Sequence, residues 1–511
     1  MSTSKGIVKW TGIVTVLLII SKITGLLRET AIAYRFGTTV AADAYLMAAL
    51  LPQILFLAFS DAVKTAFIPI YSQYHEKKDG NAFAFTAYVI SGGIILLLSG
   101  LLVFFAPVLV RLAAPGFTGR AYTLTVTMSR ILLPGLFFFG LAGLAGGILH
   151  TKKNFIVPAL TAYPSNLIII IFTVFFGAGY GITGVAWATL AGFASQFLIQ
   201  LPALLKHGIF SQRKFLWRHP GIRKMAVLIP PVILSGSATE LKNIVDRIFG
   251  SLLPEGGIAA LNYANRVFLL PNGVVVTALL TVIFPLLVEL FLKEEMTGFK
   301  KLLRQGMAMI ILLVLPMMTG LVILREPIIR LLFERGAFGA QATKITAESL
   351  AFYSLGLLFM GGQMLLTRVF FALRDTVTPM LVTFATVAVN AFFNWLLIKP
   401  MQHSGIALGT SLALACNLAA LWVLLRKRIG PLGGRRLLVT FCKAALASMA
   451  MGIVLFYGRT FLTVSGLLLL ACRFLAVAAA GTAVFLLAAR LLRIEELGQI
   501  LSLVRSKEKL F

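Results

Sequence analysis

Apolar residues run along this chain in blocks of about 20 to 30, each long enough to cross the ~30 Å hydrocarbon core of a bilayer as a helix rising 1.5 Å per residue. Short polar segments separate the blocks. The pattern predicts about fourteen membrane-spanning helices, near residues 10–36, 43–70, 82–111, 121–149, 155–177, 181–206, 224–250, 258–292, 302–324, 345–373, 377–398, 404–425, 437–457 and 465–492. The first block is anomalous, because between Trp10 and Phe36 it carries Lys22, Arg28 and Glu29. An ionised side chain at mid-membrane costs about 2.5 to 3.5 kcal/mol on insertion scales, so such residues face a bundle interior or a water-filled cavity. Lys22 and Glu29 stand two helical turns apart and share a face. Arg28 lies about 120° from Lys22, where its long side chain still leans towards the same cavity.

Composition agrees with a polytopic membrane protein: 59% of the 511 residues are hydrophobic and 13% charged. A net charge of +28 would point a soluble protein towards nucleic acid. Here the basic residues sit in short loops, the positive-inside pattern, and no nucleic-acid partner is expected. Lys77 and Lys78, Lys152 and Lys153, Lys206 to Lys224, Lys293 to Arg304 and Arg426 to Arg436 then mark the cytoplasmic side of the membrane, with both termini inside. Met1 to Lys9 enters the first block without a small-residue cleavage site and reads as retained. Cys416, Cys442 and Cys472 stand singly in apolar blocks, which excludes a disulfide framework or a CxxC metal site. Arg325 to Lys344 reads as a short amphipathic helix on the outer surface. Between Phe210 and Met225, Lys, Arg, Trp and His interleave with Phe and Leu around Pro220 and Gly221. That mixture predicts a surface-lying amphipathic helix against anionic lipid.

An internal repeat divides the chain. Gly135, Pro158, Gly184, Ala186 and Thr189 recur as Gly356, Pro379, Gly405, Ala407 and Thr410, all displaced by 221 residues. Tyr45 with Leu51-Pro52 is echoed by Tyr263 with Leu270-Pro271. The displacement holds an even number of spans, so both halves enter the membrane in the same direction, and the substrate path lies between them. The expected fold is all-α: two six-helix lobes related by a pseudo-two-fold along the membrane normal, plus two C-terminal helices. The boundaries are 1–209 for the first lobe, 210–223 for an amphipathic cytoplasmic linker, 224–428 for the second lobe, and 429–511 for helices 13 and 14 with a basic tail. Intramembrane charge gathers in helices 1, 2, 7 and 8: Asp61 and Lys64 in the second, Lys242, Asp246 and Arg247 in the seventh, Arg266 in the eighth. Lys22, Arg28 and Arg266 give a central cavity a positive field suited to an anion such as a pyrophosphate. Asn390 and Asn394, one turn apart in helix 11, with Thr410 in helix 12 and Asp246 in helix 7, are oxygen ligands of the kind that hold Na⁺. They serve equally as interhelical hydrogen bonds. No Walker A loop, HExxH or Ser/His/Asp set is present, so the reading is a transporter and not an enzyme.

Several motifs carry a resemblance. Ser21-Lys-Ile-Thr-Gly-Leu-Leu-Arg-Glu, Arg35-Phe-Gly, Ala42-Asp-Ala-Tyr, Leu51-Pro52, Phe67-Ile-Pro-Ile, Asn262-Tyr-Ala-Asn-Arg-Val, Phe333-Glu-Arg-Gly-Ala-Phe and Phe371-Ala-Leu-Arg-Asp-Thr together resemble the MurJ (MviN) lipid II flippase family of the multidrug/oligosaccharidyl-lipid/polysaccharide exporter superfamily. The resemblance implies a two-lobed exporter whose helices 13 and 14 form a groove for a lipid tail. It carries cavity cations onto Lys22, Arg28 and Arg266, an acidic partner onto Glu29 and a further acid onto Asp43. It also implies a sodium site on Asp246, Asn390, Asn394, the carbonyl of Ile406 and Thr410, with Na⁺ as coupling ion. The family usually has Arg where Lys22 stands and Asp where Glu29 stands, and many members carry an Arg pair where this chain has Leu55 and Phe56.

The reading is therefore a monomeric flippase for an undecaprenyl-diphosphate-linked substrate, foremost lipid II, moving it to the outer leaflet by alternating access. A flippase for another undecaprenyl-linked glycan, or a cation-coupled small-molecule exporter of the same fold, is the alternative. A non-transporting cell-wall scaffold and a membrane-embedded transferase fit less well.

Overall fold

The computed structural model describes the backbone of residues 2–74, 80–210, 214–464, 466–494 and 496–498, with side chains except at 2–15, 18–19, 55–66 and 230–239. Leu55, Phe56, Asp61 and Lys64 thus fall outside the described side chains. Every described regular element is helical, as a hydrocarbon surround requires of a chain that must satisfy its own backbone groups. Two packing units result, Met1–Ala259 with Arg335–Phe338, and Ala260–Glu334 with Gly339–Phe511.

The first unit holds α1 (Ser2–Phe36), α2 (Val40–Tyr74), α3 (Gly80–Phe104), α4 (Ala106–Ala113), α5 (Gly119–Leu132), α6 (Gly135–Thr151), α7 (Ile156–Leu160), α8 (Ala162–Ile171), α9 (Gly177–Leu198), α10 (Leu201–Lys206) and α11 (Pro220–Gly250). A stack of Phe67, Tyr71 and Phe83, with ring centroids 5.0 to 6.3 Å apart, anchors its core. The segment Arg335–Phe338 joins this unit because the Ala337 N–H donates to the Tyr34 carbonyl at 2.8 Å. Gly336, at φ +60°, lies so close that a Cβ there would sit 2.3 Å from the same oxygen. Helix α11 packs on α2 within this unit.

The second unit continues α12 (Gly257–Pro271) and holds α13 (Thr277–Leu292), α14 (Met296–Ile323), α15 (Arg325–Phe333), α16 (Ala340–Leu355), α17 (Leu357–Ala372), α18 (Val377–Ile429), α19 (Gly434–Gly458) and α20 (Leu467–Leu491). The pair α19 and α20 packs on α14. The short α15 is the expected amphipathic helix, burying Ile329 and Phe333. Among the described residues seven helices are long and apolar enough to cross a membrane, and nine with each bent pair taken as one span. Splitting the two longest at their breaks and adding α1, α2 and α11 gives the expected fourteen. Of these, α5 with α6 and α16 with α17 are single spans bent by 40° and 43°, and α18 is two spans merged across a break at Gln402.

The duplication extends well beyond the five matched positions. Gly135 and Gly356 sit at the two bends. Lys153 and Arg374, 221 residues apart, both take left-handed φ values of 59° and 58°. Asn154 Oδ1 then accepts from the Val157 N–H as Asp375 Oδ1 accepts from the Thr378 N–H. The chain reverses at Gly181 (φ 61°) and again at Gln402 (φ 48°). Gln196 Nε2 donates to Ser165 Oγ, and at the same displacement Asn417 Nδ2 donates to Thr386 Oγ1.

One expectation fails. Residues 214–219 form turns and extended backbone, not an amphipathic helix. The Leu216 N–H donates to Thr86 Oγ1 at 2.9 Å, tying the linker to α3. Helix begins only at Pro220, where His219 Nδ1 accepts from the Gly221 N–H. A proline at the first helical position, lacking an N–H, starts a helix and cannot lie inside one without loss.

Candidate functional site

The charged stretch of α1 packs against α7 and α8, where Ser165 and Asn166 precede an apolar run of Leu and Ile. Arg28 Nη2 donates to Glu29 Oε1 at 2.8 Å, and Arg28 Nη1 donates to Asn166 Oδ1 at 3.2 Å. Asn166 Nδ2 donates to Thr24 Oγ1 at 3.0 Å, and the Thr24 hydroxyl donates to the Ser21 carbonyl at 2.9 Å. The direction of each bond follows from chemistry. A guanidinium has no acceptor, so the Asn oxygen must face it, and a hydroxyl already donating to Ser21 must accept from the amide.

Exposure separates the pair. The Glu29 side chain is 2% exposed and that of Arg28 25%. Neighbouring helix residues seldom meet side chain to side chain; here the Arg bends back over the buried carboxylate. Two of its five N–H groups are committed among the described residues, and the side chain keeps partial exposure. The site can therefore present an oriented cation to an anionic group, which is the arrangement bidentate phosphate recognition needs. Lys22 is exposed. It shares the face of Glu29, but only the later turn is covered by neighbouring helices.

Asp43 is held by backbone donors. It is 4% exposed, and its two oxygens accept the N–H groups of Gly256 and Ala259 at 2.7 Å each. That places a carboxylate on the open donors at the start of α12, where the helix dipole favours negative charge. Both oxygens are thereby engaged in anchoring the start of α12. Nearby, Tyr45 OH lies 2.8 Å from Thr189 Oγ1. Thr189 already donates to the Val185 carbonyl, so Tyr45 is the donor.

Arg266 is half-buried on α12 in the second unit, one turn after the buried Asn262. The expected sodium ligands divide. Asp246 stands in the first unit with Lys242 Nζ 3.8 Å from its Oδ2. Asn390, Asn394, Ile406 and Thr410 stand in the second, all at most 2% exposed. There Asn394 Nδ2 donates to Asn390 Oδ1 at 3.3 Å, and Asn390 Nδ2 donates to Thr410 Oγ1 at 3.5 Å. The oxygens of Asn390 and Thr410 each accept a neighbouring amide donor, so these side chains form a hydrogen-bonded ladder between the two limbs of α18. No cluster of three or more His, Cys, Asp or Glu suited to a metal occurs among the described residues.

A family model described as "Lipid II flippase MurJ" matches residues 32–474. The chain belongs to the MurJ family. A probable lipid II flippase MurJ of Rickettsia prowazekii (strain Madrid E) is 30% identical over 416 residues, covering 80% of this chain and 82% of the relative. A lipid II flippase MurJ of Burkholderia cenocepacia is 30% identical over 424 residues, with 80% and 82% covered. A solved MurJ structure, in an inward closed conformation, superposes with a TM-score of 0.81 at 27% identity, over 94% of this chain and 98% of that one. An inward-facing multidrug resistance MATE family transporter of the MOP superfamily shares the fold, at TM-score 0.68 and 15% identity over 82% of this chain and 98% of that one. Membership of the MurJ family makes this a multi-pass membrane protein. Two site residues, Asn166 and Thr24, were not singled out from sequence. The signal was present: Asn166 is a polar residue within the run from Ala162 to Ile171.

Proposed function

We propose that this chain moves lipid II from the cytoplasmic to the outer leaflet by alternating access. Arg28 is the principal cation for the diphosphate, and Lys22 and Arg266 contribute further positive charge. The observation that carries the reading is the Arg28 fork, held from behind by buried Glu29 and by Asn166 while a quarter of it stays open. MurJ family membership supplies the substrate class. A polyprenyl tail asks only for apolar surface, and the second unit has a groove of about 440 Å³ lined by Leu312, Pro316, Leu321, Met451, Leu455 and Phe485 among others. Basic loops favour both termini in the cytoplasm, and one chain acts as the working unit. Without an ATP-binding motif, the flip draws on the membrane potential, about 2.3 kcal/mol per charge per 100 mV, or on an ion gradient. The test is growth of bacteria depleted of their own lipid II flippase and supplied with this chain. Wild type should restore growth and Arg28→Ala should not. Failure of wild type that is inserted and stable would assign another undecaprenyl-linked glycan.

A further inference from the structure

Three elements of the second unit, the start of α14, the start of α19 and the residues just after α20, surround a second cavity of about 720 Å³. Six cations line it: Lys301, Arg304, Arg435, Arg436, Lys443 and Arg493. Among the described residues, Glu496 is the one carboxylate in its wall, and its Oε1 accepts from Thr440 Oγ1 at 3.4 Å. Lys443 Nζ donates to the Arg493 carbonyl at 3.3 Å, a contact that fixes the ammonium without neutralising it. Like charges around one space repel, and an anion in that space turns repulsion into attraction. The backbone holds the cluster in place. Gly433, at φ +75°, lies close enough to Arg304 that a Cβ would stand 3.0 Å from its Nη1, and Arg493 itself takes φ 49°.

The surroundings narrow the anion. Leu438, Val439 and Phe441 on α19, and Leu487 and Leu491 on α20, are exposed beside these cations. Such a boundary of apolar and basic surface belongs at the level of lipid headgroups. Along α14 the cavity ends at Gln305, seven residues or about 10 Å before Leu312, where the apolar groove of the same helices begins. Arginine pairs match phosphate oxygens bidentately. We propose that this cavity binds the phosphate headgroup of an anionic phospholipid such as phosphatidylglycerol, with its acyl chains on the apolar faces of α19 and α20. The site is separate from Arg28 and does not depend on the substrate assigned there.

The experiment is a titration of the purified full chain in detergent with dioleoylphosphatidylglycerol, with bound lipid counted by native mass spectrometry. Wild type fills one site ahead of all others, and the lipid raises its unfolding midpoint where dioleoylphosphatidylcholine does not. Arg435→Gln/Arg436→Gln/Lys443→Gln weakens that site by at least about tenfold. Arg426→Gln/Lys427→Gln, which removes charge outside the cavity, leaves it intact. Unchanged affinity in the triple variant, equal weakening in the outside variant, or equal effects of the two lipids on wild type overturns the proposal. Displacement of the lipid by millimolar inorganic phosphate also overturns it, by assigning the cavity to a soluble anion.

Discussion

Removing the guanidinium from Arg28 tests stability and transport together, and the two readouts part company in a way the geometry fixes. Arg28→Met keeps most of the side-chain volume and deletes two bonds. The charge-assisted bond to Glu29 is worth about 1.5 to 3 kcal/mol and the neutral one to Asn166 about 0.5 to 1.5 kcal/mol. Water reaching the partly exposed site moderates the loss, so a cost of about 2 to 3 kcal/mol is expected, most of it from depriving buried Glu29 of a cationic neighbour. Glu29→Gln in the same chain removes the charge that Arg28 balanced, and the double variant should be more stable than Arg28→Met alone. Unfolding midpoints followed by tryptophan fluorescence in detergent read the stabilities, and growth of flippase-depleted cells reads transport. The double variant should recover stability and still fail to support growth. A double variant as unstable as Arg28→Met would refute the pairing; one that supports growth would refute the role of the cation.

Asp43→Asn retains one acceptor of the two and loses the charge over the start of α12, at a cost of about 1 to 2 kcal/mol. Faster hydrogen exchange of the Gly256 and Ala259 amides would report it; unchanged exchange would show the anchor to be idle. Gln402→Gly should raise the unfolding midpoint by the equivalent of roughly 1 kcal/mol, since a positive φ strains every residue but glycine, and Gly181 already fills the matching place in the first repeat. Asp375 lies in the loop before α18, where burial raises its carboxyl and is outweighed by the Thr378 N–H and hydroxyl and by Arg428, so that it titrates below the ordinary carboxylate range. Its contribution is complete above the unfolded value of about 3.9 and is lost as pH falls through the lower folded value. Protection of residues 373–378, corrected for intrinsic exchange, should hold from pH 8 to 5 and drop below about 4; Asp375→Asn should abolish that drop.

The spans and the Arg28–Glu29 pair were legible because an ion within an apolar block is chemically conspicuous. Asn166 was as visible but uncharged, and a lone amide in a span is easily taken for packing. The role of Asp43 was hidden for another reason: its partners are backbone N–H groups, which every residue but proline carries. The repeat was read from five positions, yet the turns at Lys153 and Arg374 match through conformation and not identity, and Gln402 does the work of a glycine. The linker misled because its mixed composition fits an amphipathic helix, while Pro220 and the Thr86 bonds to its backbone fix it as a strap.

Arginine at position 28 is never a bare cation, because the next residue travels with it through synthesis and insertion as a built-in counter-ion. On the proposed reading, a headgroup meets a guanidinium whose other side already holds a carboxylate that cannot leave. The order of two letters in the chain then decides which side of that cation stays available to a visitor.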